Sequence, residues 1–220
     1  MTPVIAIDGP SASGKGTVAQ GVARTLGWSY LDSGALYRLV ALAAIESSVG
    51  WDDVERLADI AGRLDLRFEG DDVWLAGRRV TDAIRTEECS VGASFCAAIP
   101  AVRLALLERQ RRFRVAPGLV AEGRDMGSVV FPDAMLKVFL TADVATRAAR
   151  RHKQLIDKGI PASIHTLLRD LQERDVRDAM RPVAPLVQLP DALLLDTTRL
   201  TVDEAVARVI GWYRERASEA

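Results

Sequence analysis

The residues best suited to chemistry lie near the N-terminus, in the segment Gly9-Pro10-Ser11-Ala12-Ser13-Gly14-Lys15-Gly16-Thr17. An apolar run at 4–7 predicts a strand directly before it, and apolar residues at helical spacing follow it. The glycines at its two turns permit backbone angles that let successive N–H groups point at phosphate oxygens. Its lysine can reach the terminal phosphates as a compact cation. The segment therefore predicts a phosphate-binding loop for ATP, with all nine residues in contact with the nucleotide.

Gly16 departs from the general pattern of such loops, which have Ser or Thr at this position to bind magnesium. Thr17 comes one position later. We therefore expect Mg²⁺ to be held mainly through the ATP phosphates and water, and we predict no metal site made by the protein alone.

The elements that must position this loop are strands and helices in alternation. Five short apolar runs are typical of buried parallel strands, and they lie at 4–7, 28–31, 119–121, 135–140 and 192–195. Four of them end near an acidic residue, namely Asp8, Asp32, Glu122 and Asp196. Amphipathic segments lie between the runs. The pattern predicts an α/β fold in three layers, with a five-stranded parallel sheet whose carboxyl edge binds ligands.

Two other stretches interrupt the alternation. Apolar residues alternate between 64 and 84 around a turn at 69–72, which predicts a small β-rich insertion. Two helices at 86–98 and 101–114 follow, separated by Pro100. An arginine-rich helical piece at 147–181 contains a break at 158–161. We therefore divide the chain into a core of residues 1–60 and 85–220, an insertion at 61–84, and a region at 147–165.

Composition excludes several functions. The chain has 220 residues, with 29 Lys and Arg against 30 Asp and Glu, so we expect neither nucleic acid nor membrane as a partner. The pair Cys89 and Cys96 fits neither a zinc site nor a disulfide scaffold, and we interpret both as reduced core residues. His152 and His165 are the only histidines, and we expect them on helix surfaces. No apolar run approaches the length that spans a bilayer, so the expected compartment is the cytoplasm.

The absence of asparagine excludes two classes of phosphate-binding enzyme. A GTPase needs an Asn-containing guanine motif, and a protein kinase needs an Asn in its catalytic loop. A mechanical ATPase should show an apolar strand that ends in Asp or Asp-Glu, and the run 119–122 is a poor match.

Four further segments narrow the assignment. The spelling GKGT resembles that of the nucleoside monophosphate kinases, and the segments at 31–38, 123–127, 129–134 and 173–181 resemble bacterial-type cytidylate kinase over nearly the whole chain. The resemblance implies a P-loop kinase that transfers the γ-phosphoryl group of ATP to CMP, and to dCMP, giving CDP or dCDP and ADP. It further implies an acceptor-binding role for 61–84 and a short helical lid at 147–165. We also expect a monomer.

The resemblance also assigns roles to individual residues. It implies contacts with the acceptor phosphate for Ser33, Arg38, Arg124 and Arg181, and with cytosine for Ser94, Arg103 and Asp125. It implies ribose and phosphate contacts for Arg174 and Asp178, and an ATP contact for Arg150. Lys15, Arg124, Arg174 and Arg181 would be catalytic. The acceptor oxygen needs no general base, because the second pKa of a phosphate monoester is about 6.

Several alternatives stay open from the sequence. The acceptor could be UMP, AMP or a non-nucleotide alcohol, and the chain could be a nucleotide-sensing module without catalysis. Arginines of the lid and the helix after it could instead form a solvated face, paired with acidic neighbours; they are Arg147, Arg150, Arg151, Arg174 and Arg177, with Asp157, Asp170, Glu173 and Asp175. Asp32 could simply cap the next helix, and Tyr37 could be a packing residue.

Overall fold

The computed structural model describes residues 1–70, 72–157 and 159–219. Asp71 of the predicted turn at 69–72 and Lys158 of the predicted break at 158–161 lie outside the described residues. The strands are β1 (Val4–Asp8), β2 (Ser29–Asp32), β3 (Leu66–Glu69), β4 (Asp72–Leu75), β5 (Arg78–Arg79), β6 (Leu119–Gly123), β7 (Leu136–Thr141) and β8 (Leu193–Asp196). The helices are α1 (Lys15–Leu26), α2 (Ser33–Glu46), α3 (Val54–Arg63), α4 (Glu87–Cys96), α5 (Pro100–Arg111), α6 (Val144–Ile156), α7 (Ile164–Ala179) and α8 (Val202–Glu219).

A five-stranded parallel sheet has the order β2-β6-β1-β7-β8. β1 is the central strand of this sheet and is fully buried. It pairs with β6 so that Ile7 lies beside Glu122 and Asp8 lies beside Gly123. The α/β fold and the five predicted strands are thus confirmed. This order brings the ends of β1 and β6 together, although more than a hundred residues separate them along the chain.

The chain forms two compact units, of which the first contains residues 1–31 and 113–220. Its core is made by apolar side chains of the sheet and of α1 and α8, such as Ile5, Val22 and Val209. A Cβ at Gly21 would lie 2.6 Å from Val206, so glycine is needed for α1 and α8 to pack this closely.

The second unit contains residues 32–112. The antiparallel strands β3, β4 and β5 form its small sheet, within the predicted β-rich stretch. α4 packs on α2, and Cys89 and Cys96 are buried in it as free thiols. Burial raises the pKa of Cys96 to about 12. Both cysteines are therefore buried core residues with free thiols, as predicted.

The two predicted helices are present as α4 and α5, but Pro100 is the first residue of α5 and not a residue between them. Proline suits that position, since its missing N–H would have no partner in the first turn and its fixed φ is already helical. Among the described residues, no single helix is long and apolar enough to cross a membrane, and the bent pair α4 and α5 passes that test by length and composition only.

Candidate active site

The predicted phosphate loop connects β1 to α1 and is shaped by its backbone. Gly14 has φ 91° and is the N-cap of α1, a conformation that favours glycine. A Cβ at Gly9 would lie 1.9 Å from the Leu140 carbonyl oxygen. The buried Ser13 hydroxyl donates to the Pro10 carbonyl at 2.9 Å. The loop therefore holds a fixed turn at a helix N-terminus, where N–H groups and the helix dipole favour an anion.

Lys15 lies beside Glu122, the acidic residue near the end of β6. Its Nζ is 3.5 Å from Glu122 Oε2, and the side chains are 12% and 8% exposed. The Tyr30 hydroxyl donates to the other carboxylate oxygen at 3.2 Å. The ion pair therefore places the lysine charge next to the phosphate loop.

The same carboxylate also lies close to residue 16. A Cβ at Gly16 would lie 3.0 Å from Glu122 Oε1 and 3.7 Å from the Tyr30 hydroxyl. Glu122 therefore leaves little room for the Ser or Thr side chain that usually occupies this position. Sequence reasoning noted Glu122 as a strand-end acid but missed this contact; the signal was its place at the end of a buried run.

Residues near the loop fit a magnesium ion held chiefly by phosphates. The oxygen-bearing side chains there include the Glu122 carboxylate and Thr17, which is exposed in the first turn of α1. Carboxylate and hydroxyl oxygens are ligands that Mg²⁺ accepts. Among the described residues, no cluster of three His, Cys, Asp or Glu could hold a metal ion by itself.

Arg147 of α6 is buried, so the alternative that it lies on a solvated face is wrong. It does pair with Asp175 of α7, one of the acidic residues named in that alternative, through two bonds of 3.1 and 2.5 Å. It also donates to the carbonyl oxygens of Ala142 and Ser11 at 3.0 and 3.1 Å. Arg147 therefore ties α6 and α7 to the phosphate loop.

Arg150, one turn later, also contacts the loop. Its guanidinium donates to the Ser13 carbonyl oxygen at 3.0 Å and to the Thr197 carbonyl oxygen at 2.7 Å. Thr197 follows β8 and is buried, with its hydroxyl 3.0 Å from the same Ser13 oxygen. Arg150 therefore lies beside the phosphate loop, and its contact with ATP stays a prediction. Thr197 is a site residue that sequence reasoning missed, because nothing in its local pattern marks it.

Asp178 and three arginines, all predicted to bind the acceptor, lie together. Arg124 Nε donates to Asp178 Oδ2 at 2.7 Å, with side chains 15% and 5% exposed. Arg181 Nε donates to the Asp178 carbonyl oxygen at 3.4 Å, and the charge of Arg174 also acts on the carboxylate. Burial opposes both charges of the pair, but their attraction still raises the pKa of Arg124 and lowers that of Asp178.

The segment that carries Arg124 and Asp125 continues into a π-helical turn, Met126–Val130. Asp8 at the end of β1 accepts hydrogen bonds from the Met126 and Gly127 amides, both at 2.8 Å. Burial raises the pKa of Asp8 to about 6, although these two bonds pull it down. Asp125 is buried at the start of the turn.

The remaining predicted site residues belong to the second unit, where Ser33 is buried in α2, Arg38 of α2 and Ser94 of α4 are half-buried, and Arg103 is buried in α5. The Arg103 guanidinium donates to the Ala97 carbonyl oxygen at 3.2 Å and lies 6.0 Å from the ring of Tyr37.

Several simpler interpretations from the sequence are confirmed. Asp32 caps α2 by accepting from the Ala35 amide at 3.0 Å, and Tyr37 is a buried packing residue. Arg177 is exposed, with its guanidinium 3.9 Å from Glu173. His165 is exposed in α7 and His152 is half-buried in α6.

Comparison with known proteins gives a consistent result over nearly the whole chain. The family model described as cytidylate kinase matches residues 5–215. A cytidylate kinase from Chromobacterium violaceum is 59% identical over 214 residues, which cover 97% of this chain and 96% of that protein. One from Cupriavidus necator is 60% identical over 210 residues, covering 96% of this chain and 95% of that protein.

Two solved structures are similar in fold. An uncharacterized protein from Eubacterium ventriosum has a TM-score of 0.55 at 15% identity and covers 98% of this chain and 99% of its own. A gluconokinase from Sinorhizobium meliloti has a TM-score of 0.51 at 17% identity and covers 99% of this chain and 95% of its own. At such identities the likeness concerns the fold alone.

Proposed function

The chain belongs to the cytidylate kinase family, and from this premise we propose that it transfers the γ-phosphoryl group of ATP to CMP, giving CDP and ADP. The observation that carries the proposal is the arrangement at the end of β6. There Glu122 contacts the phosphate-loop lysine, and two residues later Arg124 binds Asp178 within a cluster of arginines. One short segment thus connects the site for the donor phosphates with a set of cations suited to a second phosphate.

The chain's own residues supply positioning and charge. The N–H groups of the phosphate loop and Lys15 hold the β- and γ-phosphates of ATP. Arg124, Arg174 and Arg181 hold the acceptor phosphate, because a guanidinium stays charged and binds two oxygens at once. Two phosphate groups that repel each other are thereby brought into line without a general base. Magnesium, when bound, neutralises charge on the ATP phosphates.

Lys15 lies between Glu122 and the proposed position of the ATP phosphates. Its Nζ is 3.5 Å from Glu122 Oε2, and phosphate oxygens offer it a further, doubly charged partner. Glu122 and Thr17 would then face the magnesium ion, directly or through water. Arg150 and Arg147 fix the loop from behind through the carbonyl oxygens of Ser13 and Ser11, so the loop needs little reorganisation to receive the phosphates.

Finer features remain predictions that follow from the resemblance. They include the use of dCMP, base contacts by Asp125, acceptor contacts by Ser33, Arg38, Ser94 and Arg103, and an acceptor-binding role for 61–84. A lid at 147–165 that closes over ATP, a monomeric state, a cytoplasmic location and the absence of nucleic acid or membrane partners also stay predictions.

A panel of acceptors tests the proposal. ADP release is measured with ATP, Mg²⁺ and CMP, dCMP, UMP, AMP or a sugar alcohol, each over a range of concentrations. We expect kcat/KM to be highest for CMP, with dCMP next. A higher value for another acceptor would replace the proposed substrate. Tight binding of both nucleotides without turnover would instead support the nucleotide-sensing alternative.

A further inference from the structure

Asp8 occupies a position that the phosphate-transfer chemistry does not require. It is the last residue of β1 and only 8% exposed. A carboxylate taken out of water is destabilised unless hydrogen bonds compensate for the lost hydration. The raised pKa of Asp8, which results mainly from burial, shows that the compensation is incomplete. Packing alone therefore does not account for an acidic side chain at this position.

Both oxygens of Asp8 bind the backbone of one short segment. Oδ1 accepts from the Met126 amide and Oδ2 accepts from the Gly127 amide, each at 2.8 Å. These are the first two N–H groups of the π-helical turn Met126–Val130. Helix starts leave such groups without internal partners, and the residue preceding the helix normally supplies a side-chain acceptor.

In this turn the preceding residue does not act as the cap. Asp125 occupies the N-cap position, yet its side chain makes no capping bond. Asp8, from a different strand, takes that role. The internal bonds of the turn begin with the Val129 and Val130 amides, which donate to the Asp125 carbonyl oxygen at 2.9 and 3.2 Å. The two amides that Asp8 binds come before them and need an acceptor from outside the turn.

The capped turn is joined to the two residues that the proposed function assigns to the acceptor. Arg124 is fixed from the other side by its 2.7 Å bond to Asp178, and the Gly9 amide donates to the Gly123 carbonyl oxygen at 3.3 Å. Residues 123–127 are thus held at both ends and tied to the strand that leads into the phosphate loop.

Gly127 also packs closely against β7. A Cβ at this position would lie 3.2 Å from the aliphatic carbons of Lys137 on β7 and 3.5 Å from Asp8 Oδ2. The turn therefore lies between the Asp8 carboxylate and the Lys137 stem, with little room to move. The charged groups acting on Asp8 are Asp125, which raises its pKa, and Arg124, which lowers it.

We propose that Asp8 is a positioning residue, which caps the turn after Asp125 and thereby fixes Arg124 and Asp125 for acceptor binding and base choice. The inference rests on the proposed function, since it takes these two residues as acceptor contacts. It assigns Asp8 to the acceptor side of the reaction, although the residue adjoins the ATP loop in sequence.

Asp8→Asn tests the inference with an isosteric change. The amide keeps one acceptor oxygen, but its NH₂ group faces a backbone N–H and cannot accept. One of the two hydrogen bonds between the Asp8 carboxylate and the turn is lost, and a bond to a charged group is worth at least about tenfold in an equilibrium constant. We therefore expect KM for CMP to rise about tenfold. The ratio of kcat/KM for CMP to that for UMP should fall by a similar factor, while KM for ATP changes by less than about twofold.

Asp53→Ala is the matched control. The Asp53 carboxylate caps α3 by accepting from the Arg56 amide at 3.1 Å, and alanine removes this side-chain-to-backbone bond far from residues 123–127 in sequence. We expect its KM values and its CMP-to-UMP ratio to equal those of the wild type.

A double variant separates positioning from general damage. If Asp8 acts on base choice through Asp125, adding Asp8→Asn to Asp125→Asn should leave the CMP-to-UMP ratio where Asp125→Asn alone put it. A further fall in that ratio would overturn the inference. So would a rise in KM for ATP as large as that for CMP, since Asp8 would then act on the phosphate loop.

If Asp8→Asn does not fold, Asp8→Ser decides the question instead. Serine is smaller and has a single side-chain oxygen, so it cannot accept from the Met126 and Gly127 amides as the two Asp8 oxygens do, and KM for CMP and the base ratio should change while KM for ATP should not. Unchanged acceptor kinetics in a folded Asp8→Ser variant would then refute the inference. Wild-type enzyme that prefers another acceptor would contradict the proposed function instead, whatever the variants do.

Discussion

Lys15→Met removes one charge from the candidate site and leaves its shape almost unchanged, since methionine keeps an unbranched stem. In the structure the lysine ammonium lies 3.5 Å from Glu122 Oε2, and both side chains are nearly buried. The substitution should therefore have two separate effects. It removes a cation that we assign to the ATP phosphates, and it leaves the Glu122 carboxylate buried without that cation.

The two effects differ in size and in the measurement that reports them. Breaking a buried ion pair by removing one partner costs about 3–5 kcal/mol of stability. Because the separation is 3.5 Å and the Tyr30 hydroxyl still donates to Glu122, we expect a loss of about 3 kcal/mol. Removing a preorganised group that stabilises transition-state charge lowers kcat by about 100- to 1000-fold.

Urea unfolding at neutral pH and ADP release at saturating CMP measure these quantities separately. Adding Glu122→Gln removes the uncompensated charge, so the double variant should regain most of the stability while kcat stays low. Arg111→Met is the control, because Arg111 and its partner Glu108 are both exposed and such a pair contributes at most about 1 kcal/mol. A kcat within about tenfold of wild type would remove Lys15 from the mechanism. A double variant as unstable as Lys15→Met would show that the Glu122 charge is not the cause.

Three further variants test other parts of the site. Asp125→Asn should lower the CMP-to-UMP ratio of kcat/KM by about 5- to 100-fold, because an amide can face either base, and an unchanged ratio in a folded variant would exclude base reading by Asp125. Asp178→Asn should lower the free energy of unfolding by about 3 kcal/mol at pH 7 by leaving Arg124 buried without its partner. Since the folded pKa of Asp178 is lowered, this difference is present above pH 3.8 and should shrink as pH falls through the lowered value. Asp8 has a raised pKa, so its contribution to stability is present below pH 3.8 and lost as pH rises through about 6. The increase in the pKa of Asp8 corresponds to about 3 kcal/mol of stability. Most of this loss should appear in urea unfolding of the wild type between pH 4 and 7, and it should be absent in Asp8→Asn.

The strands and the phosphate loop were predictable because their signals are local. Five runs of apolar residues matched the five strands of the parallel sheet. The glycines and Lys15 follow one another within a single turn, so their spacing alone specifies a loop that opens a helix. The small sheet β3–β5 was also predictable from alternation. By contrast α2 and α3 were not placed in advance, since α2 is buried nearly all round and shows little periodicity.

The burial of charged side chains could not be read from the sequence. An arginine on a helix has the same local pattern whether it faces water or a carboxylate. Arg147 is buried because Asp175 and two backbone carbonyl oxygens compensate its charge, whereas Arg177 is exposed one helix further on.

What the sequence by itself determined is the family, the α/β fold and the identity of the phosphate loop, since each depends on short contiguous patterns. The tertiary structure alone decided which distant residues meet. Strand order places β6 beside β1, and only this order brings Glu122 to Lys15 and Gly16, and Asp8 to the Met126 amide. The physical reason is that apolar periodicity fixes which face of an element is buried, but not which element it is buried against.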